Sequence, residues 1–197
     1  MDRTDQIAKE AATFFQRQAE TNHRQMNTII NAHSQELLDV FSQTISRLVI
    51  QAQHLQKESG KKAIKYFSVA YLRSSIITKT YELQFSLLDK SYFADLVECC
   101  AYCGVNPLTS HIETEYAAFL AAMKKNVMQL HAYEVDGLWR EQILKDCNDV
   151  MKPFFAKHIK RIAEVSGIGN LSLADEVLFV FGGYMDRCVR LGSRRSS

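Results

Sequence analysis

The stretch KKAIKYFSVAYLRSSIITKTYELQFSLL, residues 61–88, decides the fold that the sequence predicts. It contains neither proline nor glycine, the two strongest breakers of regular structure. Its apolar residues can be placed on two faces of a helix, with Ile64 and Phe67 on one face and Val69 and Ile76 on the other. A helix that is apolar on most sides is typical of the centre of a bundle. The stretch therefore predicts a central helix enclosed by other helices.

The N-terminal part of the chain carries one long apolar stripe at helical spacing, which begins at Ile7 and continues to Leu55. Unbroken, residues 4–58 would form a rod about 80 Å long at ~1.5 Å per residue. Either this helix breaks, or it stays extended and a second copy of the chain covers its apolar stripe. We expect a break near Asn22, which can cap a new helix, with Ser34 as the second candidate.

The remaining sequence predicts further helices and a single all-α domain. The only glycine before Gly104 is Gly60, which should end the N-terminal helical segment in a left-handed conformation. Further helices are expected over residues 91–103, 110–133, 139–165 and 172–191. The predicted fold is a bundle of about six or seven helices over residues 1–191, with 1–58 as an extended arm in the unbroken arrangement and 192–197 as a disordered tail.

The order of these predicted helices from residue 61 onward is similar to the second half of a globin-like fold. Two segments, Ala70-Tyr71-Leu72-Arg73 and Tyr184-Met185-Asp186-Arg187, resemble parts of phycobiliproteins. The first resemblance implies a haem and the second a bilin. Residues 91–103, however, contain no histidine to hold a haem, and Tyr71 stands where a bilin would attach through cysteine. We therefore expect a globin-like arrangement only as an alternative without haem, and we expect no cofactor.

Composition favours a cytoplasmic globular protein. Apolar residues make up 47% of the chain, charged residues 23%, and the net charge is +2. The longest unbroken apolar run, residues 177–185, is far shorter than the about 20 residues of a membrane span, and the polar start lacks a signal peptide. The odd number of cysteines, five, favours free thiols. The isoelectric point near 8.2 lies below the range above about 9 that is typical of nucleic-acid binders, so we do not expect a nucleic-acid partner.

A polar cluster on the predicted central helix defines a candidate pocket. Lys79 and Glu82 are three residues apart and can pair, whereas Arg73 has no acidic partner within reach on its own predicted helix. Either these charged side chains reach the protein surface, or they line a polar pocket in which Arg73 binds a small anionic ligand. Gly182 and Gly183 interrupt the predicted last helix, which indicates a close helix crossing, a kink or a ligand against the backbone. The candidate ligand-binding residues are Arg73, Lys79, Tyr81, Glu82, Gly182 and Gly183.

Two groups of residues are of the types that bind metals: Cys99, Cys100 and Cys103, and His54, His131 and His158. The cysteines fall at the C-terminal end of a predicted helix, where the helix dipole disfavours a thiolate, so they are interpreted as packing residues. The histidines lie on separate predicted helices, and each alone is more typical of a hydrogen-bonded or surface side chain. We predict no metal ligand and no catalytic residue.

The sequence predicts a regulatory or protein-interaction module that acts through helix–helix contacts with a protein partner or with itself as a homodimer. A small-ligand-binding or sensor protein with a polar pocket beside residues 61–88 is the alternative. A metal-dependent enzyme is the second alternative, and we do not expect the protein to be an enzyme. Membrane association is not expected.

Overall fold

The computed structural model describes residues 2–195 and has a mixed α/β fold, so the expectation of an all-α helical bundle, globin-like or otherwise, is wrong. The helices are α1 (Arg3–Ala32), α2 (Ser34–Glu58), α3 (Arg73–Thr78), α4 (Asn106–Asn126) and α5 (Tyr133–Val165). The strands are β1 (Ile64–Tyr71), β2 (Glu82–Leu88), β3 (Cys100–Gly104), β4 (Leu173–Gly183) and β5 (Cys188–Arg195). Two 3-10 turns, Tyr92–Ala94 and Ile168–Asn170, complete the regular elements of the described residues.

The N-terminal helical stripe is divided into two helices, at the second predicted position, Ser34, rather than at the favoured one near Asn22. Asn22 lies buried inside α1, and the division falls at His33, immediately before Ser34 begins α2. Asn22 is used for a tertiary contact rather than as a cap, because its amide donates to the Asp146 carboxylate at 2.7 Å. Gly60 ends this segment with φ +70°, as predicted.

The chain divides into two compact units. Within the described residues, the helical unit comprises residues 2–33 and 106–150, and the sheet unit comprises residues 34–105 and 151–195. In the helical unit, α1 packs on α4 through a stack of rings in which the Phe15 and Phe119 centroids lie 4.9 Å apart and those of Phe119 and Trp139 lie 5.5 Å apart. Arg3 Nε also donates to Glu134 Oε1 at 2.9 Å, which ties the start of α1 to the start of α5.

The sheet unit is built on one five-stranded sheet with the order β3-β2-β1-β4-β5. Neighbouring strands are antiparallel except β1 and β4, which run parallel. Parallel neighbours require a long crossover connection, and here the chain returns to β4 only after passing through α4 and α5. We call the face covered by α2 and the last part of α5 the inner face, and the opposite one the outer face.

The inner face carries the core of the sheet unit. Val69 pairs with Phe85 on one side and with Phe181 on the other, so these side chains share that face. Phe41 of α2 packs on Phe85 with centroids 5.4 Å apart, and Phe155 of α5 lies 5.5 Å from Phe181. All five side chains are buried, which gives the sheet one continuous aromatic layer beneath its helices.

Residues 61–88 form two strands, not the predicted central helix. β1 and β2 are joined by the short α3 and pair from Tyr66 opposite Leu88 to Tyr71 opposite Leu83. The residues in the two strands are rich in aromatic and β-branched side chains, which pack well on a pleated surface. Burial also spreads over both faces, since the outer-face residues Ser68 and Gln84 are as enclosed as their inner-face neighbours.

The predicted helices over residues 91–103 and 172–191 are also absent from the structure. The first region holds a 3-10 turn and β3, and the second forms the β4–β5 hairpin. Residues 192–195, expected in a disordered tail, belong to β5, whereas 196 and 197 lie outside the described residues. Over the part of the chain that the structure describes, no helix is both long and apolar enough to cross a membrane.

Candidate functional site

A cavity of about 190 Å³ lies on the outer face of the sheet, and we call it the sheet cavity. Strand β2 forms one wall through Gln84, Ser86 and Leu88, which share this face because they alternate along the strand. The Gln84 amide Nε2 donates to Ser86 Oγ at 3.2 Å. Gln84 and Ser86 are only 4% and 6% exposed, so the β2 wall of the cavity carries two buried polar side chains.

The opposite wall of the sheet cavity is the segment between β2 and β3, residues 89–99, which folds back over the outer face. Tyr92 and Phe93 of its 3-10 turn point toward the sheet, and the Tyr92 ring packs on Tyr66 of β1 with centroids 4.6 Å apart. Tyr92 has φ +56°, in the left-handed region that a bulky residue rarely adopts. The ring contact with Tyr66 holds Tyr92 against the outer face in this conformation.

A buried ion pair anchors this segment to the base of the sheet. Lys61 Nζ donates to Asp95 Oδ2 at 2.8 Å and to the Val97 carbonyl at 2.6 Å, and the two charged side chains are 0% and 3% exposed. Asp95 also accepts the backbone N–H groups of Asp89 and Val97. Burial alone raises the pKa of Asp95, but the hydrogen bonds from Lys61 and the two amides outweigh it and hold that pKa below its ordinary value.

Three side chains around the sheet cavity have raised pKa values, which argues against nucleophilic chemistry there. Burial, together with contact to Cys188, raises the pKa of the Tyr92 phenol. Burial is also the main cause that raises the pKa of Cys99, to about 11, and that of Cys100. A thiol that stays protonated at neutral pH is a poor nucleophile. These three side chains therefore suit binding, as neutral hydrogen-bonding groups and rings, better than nucleophilic attack.

The residues predicted as a ligand site lie together, but elsewhere in the sheet unit. Arg73 begins α3, Lys79 ends it, and Tyr81 and Glu82 lead into β2, so all four surround the β1–β2 connection at one end of the sheet. Arg73 Nη2 lies 4.0 Å from Asp186 Oδ2 in the β4–β5 turn. None of the six predicted residues lines the sheet cavity.

The two predicted glycines have a structural role at the same end of the sheet. A Cβ on Gly182 would clash with the Arg187 carbonyl oxygen and lie 2.7 Å from Cys188 Cα, whereas a Cβ on Gly183 would meet side chains at 3.1 Å or more. Of the interpretations for Gly182, the structure shows a close approach of backbone, made by β5 rather than by a crossing helix.

Replacing Gly182 by alanine should destabilise the sheet unit by about 1–3 kcal/mol, because the backbone of β5 must shift to admit the methyl group. The matched variant Gly183→Ala should cost less, since its nearest neighbours are the side chains of Asp186 and Tyr71, which can move. Urea unfolding monitored by circular dichroism measures both values. Equal losses for the two variants would contradict this explanation of Gly182.

The cysteines are free and divided between environments. Cys100 and Cys103 are three residues apart in β3, so the alternation of a strand places them on opposite faces of the sheet. Cys99 is buried, and its Sγ donates to the Leu48 carbonyl of α2 at 3.7 Å. Among the residues that the structure describes, no three histidine, cysteine or acidic side chains are grouped so that they could hold a metal ion.

A second buried polar cluster lies in the helical unit, but it leaves no room for a ligand. His111 Nε2 lies 2.7 Å from Asn22 Oδ1, and Asn22 Nδ2 donates to Asp146 Oδ2 at 2.7 Å. Gln142 occupies the other Asp146 oxygen at 2.8 Å. The adjacent cavity measures about 10 Å³, which is close to the minimum for one water molecule. This cluster therefore joins helices rather than forming a binding site.

A third concave surface, in the sheet unit, is an open groove of about 540 Å³ between α2 and the end of α5. Its side chains include Arg47, Arg161 and Asp39, all of which border solvent.

Comparisons of the chain with protein-family models, with curated proteins and with solved structures gave no match. The choice among these three concave surfaces therefore depends on their chemistry and size. Of the three, the sheet cavity combines buried polar groups with a volume large enough for more than a single water molecule.

Sequence reasoning missed every polar residue of the sheet cavity. The sequence pattern that could have indicated the cavity is the pair Gln84 and Ser86, two polar residues at alternate positions among apolar neighbours. On a strand that spacing places both on one face and indicates a polar surface. Tyr92 and Glu98 lie outside the strands and carried no such signal, because tertiary folding of the 89–99 segment brings them to the cavity.

Proposed function

We propose that the protein binds a small molecule in the sheet cavity and acts as a ligand-responsive regulatory protein. The observation that carries this proposal is the buried pair Gln84 and Ser86, which faces an enclosed space of about 190 Å³. The Gln84 amide donates to Ser86 Oγ and also has a side-chain hydrogen bond with Cys100. A carboxamide has an acceptor oxygen besides its two N–H donors, and this oxygen is the group that we propose for the ligand. A few buried polar groups among apolar and aromatic side chains are how small-molecule sites orient a ligand.

The cavity size limits the ligand. Pockets for drug-sized molecules measure about 300–1,000 Å³, so the sheet cavity suits a smaller metabolite. At ~30 Å³ per water molecule, it corresponds to the volume of about six waters. Such a ligand would contact β2 and the 89–99 segment at once. Binding would then stabilise the packing of that segment against the sheet.

The variant Gln84→Met should abolish ligand binding while leaving the fold intact, because methionine matches the length of glutamine and removes its hydrogen-bonding groups. A thermal-shift screen of small polar metabolites on the wild type comes first. A compound at 100 times its dissociation constant stabilises the protein by about 2.7 kcal/mol. This shift should vanish in Gln84→Met and persist in Gln51→Met, which changes an exposed glutamine of α2. A screen without hits, or hits that Gln84→Met still binds, would refute the proposed function.

Protein interaction is a second candidate, and the free edges of the sheet favour it. β3 and β5 are the outermost strands, and each pairs on one side only within the described residues. An outer strand offers unpaired N–H and C=O groups to a strand of another protein or of a second copy. Light scattering at several protein concentrations tests self-association. A mass that stays that of the monomer throughout would exclude a homodimer.

We place this function in the cytoplasm as part of the same proposal. The five free cysteines support it, because disulfides are rare in that reducing compartment. Fractionation of cells that produce a tagged chain, with an antibody to the tag, tests this location.

A further inference from the structure

Three aromatic rings border the sheet cavity, and they come from two separate segments. Tyr92 and Phe93 belong to the 89–99 segment, and Tyr184 follows β4. The Tyr92 and Phe93 centroids lie 4.2 Å apart, and those of Phe93 and Tyr184 lie 5.7 Å apart with the rings nearly perpendicular at 76°. The three rings therefore border the sheet cavity in different orientations. The face of an aromatic ring is negative and attracts cations within about 6 Å.

The charged side chains that line the same cavity are acidic. Asp95 is neutralised by its ion pair with Lys61, whereas Glu98 is exposed, with the Cys100 thiol donating to its Oε1 at 3.2 Å. Among the described residues that line the cavity, none is a lysine or an arginine. The remaining charge at the cavity is therefore negative and belongs to Glu98. A ligand with a positive charge gains from this carboxylate, and an anion is repelled.

We propose that the ligand of the sheet cavity is a small organic ammonium cation, such as a methylated amine, an inference that rests on the proposed function. The aromatic rings attract the diffuse positive charge of the alkylated nitrogen, and Glu98 supplies the opposite charge. Gln84 and Ser86 on the β2 wall then bind a hydroxyl or carbonyl group of the same ligand. The anionic ligand expected from Arg73 does not fit here, because Arg73 lies outside this lining.

Isothermal titration calorimetry at constant ionic strength tests the inference with choline, tetramethylammonium and 3,3-dimethylbutan-1-ol. The alcohol has the shape of choline with a neutral carbon in place of the nitrogen, so it isolates the effect of charge. We expect choline to bind at least about tenfold more tightly than the alcohol. Tetramethylammonium should bind more weakly than choline, because it has no hydroxyl group for the β2 wall. Equal affinities for choline and the alcohol would overturn the proposal.

Two variants locate the cation within the cavity. Glu98→Gln and Phe93→Leu should each weaken choline binding by about tenfold and leave the affinity for the alcohol unchanged. Glu164→Gln changes an exposed glutamate of α5 away from the cavity and should leave both affinities unchanged. Choline binding that survives Glu98→Gln and Phe93→Leu refutes this site for the cation. If no ammonium compound binds but the metabolite screen yields a Gln84-dependent ligand, the ammonium inference fails and the proposed function stands.

Discussion

Replacing Lys61 by methionine should lower the free energy of unfolding by about 3–5 kcal/mol. The substitution keeps the length of the side chain and removes only its charge and its donors. Asp95 would then remain buried with two backbone hydrogen bonds but no opposite charge. A buried charge without a partner retains its full desolvation cost, whereas removal of both charges often costs little.

Urea unfolding at neutral pH measures this loss, and two further variants identify its cause. Lys62→Met changes the adjacent exposed lysine and should shift stability by no more than about 0.5 kcal/mol. The double variant Lys61→Met/Asp95→Asn should be more stable than Lys61→Met, because no charge remains buried. If the double variant were no more stable than Lys61→Met, the unpaired charge of Asp95 would not be the source of the loss.

Replacing Phe155 by alanine should also cost about 3–5 kcal/mol, because it leaves a cavity beneath the sheet. Phe155 is fully buried and its ring lies 5.3 Å from Phe41, 6.0 Å from Phe85 and 5.5 Å from Phe181 by centroids. The substitution thus removes a ring that contacts α2, β2 and β4 together. The surrounding elements belong to regular secondary structure and cannot collapse far into the space.

The control for this variant is Ile77→Ala, which changes a side chain of α3 that is 61% exposed. Its effect should stay within about 0.5 kcal/mol. Urea unfolding followed by the far-ultraviolet signal gives both values. A loss below about 1 kcal/mol for Phe155→Ala would contradict the aromatic layer on the inner face.

The long helices were predictable because their apolar stripes are long and recur with one period. In residues 61–88 the same reasoning failed, and Phe67 and Tyr71 show why. A spacing of four residues places two side chains on one side of a helix and also on one side of a strand, so this pair fits both. Val69 between them was the evidence for a strand, because it completes an alternation. In a helix, Val69 cannot share a face with Phe67 and Tyr71, so the helical interpretation had to assign it to a second apolar face.

The candidate site was less predictable than the fold, for a related reason. Arg73 and Glu82 do lie near each other, but at the ends of a strand pair rather than on one helix face. Each wall of the sheet cavity comes from a different stretch of chain, so no pattern within a single stretch of sequence could predict the cavity. Only Gln84 and Ser86 had a local pattern, and its meaning depends on first recognising β2 as a strand.

Because β1 pairs with β4, the sheet cannot be completed during synthesis until β4 has been translated. About 100 residues separate the two strands, and at ~5–20 residues per second the ribosome takes about 5–20 s to add them. During that interval a hairpin of β1 and β2 can form, but the other side of β1 has no neighbour. The nascent chain therefore carries an open, aromatic-rich strand until β4 is made, and an unpaired strand edge of this kind is prone to aggregation during translation.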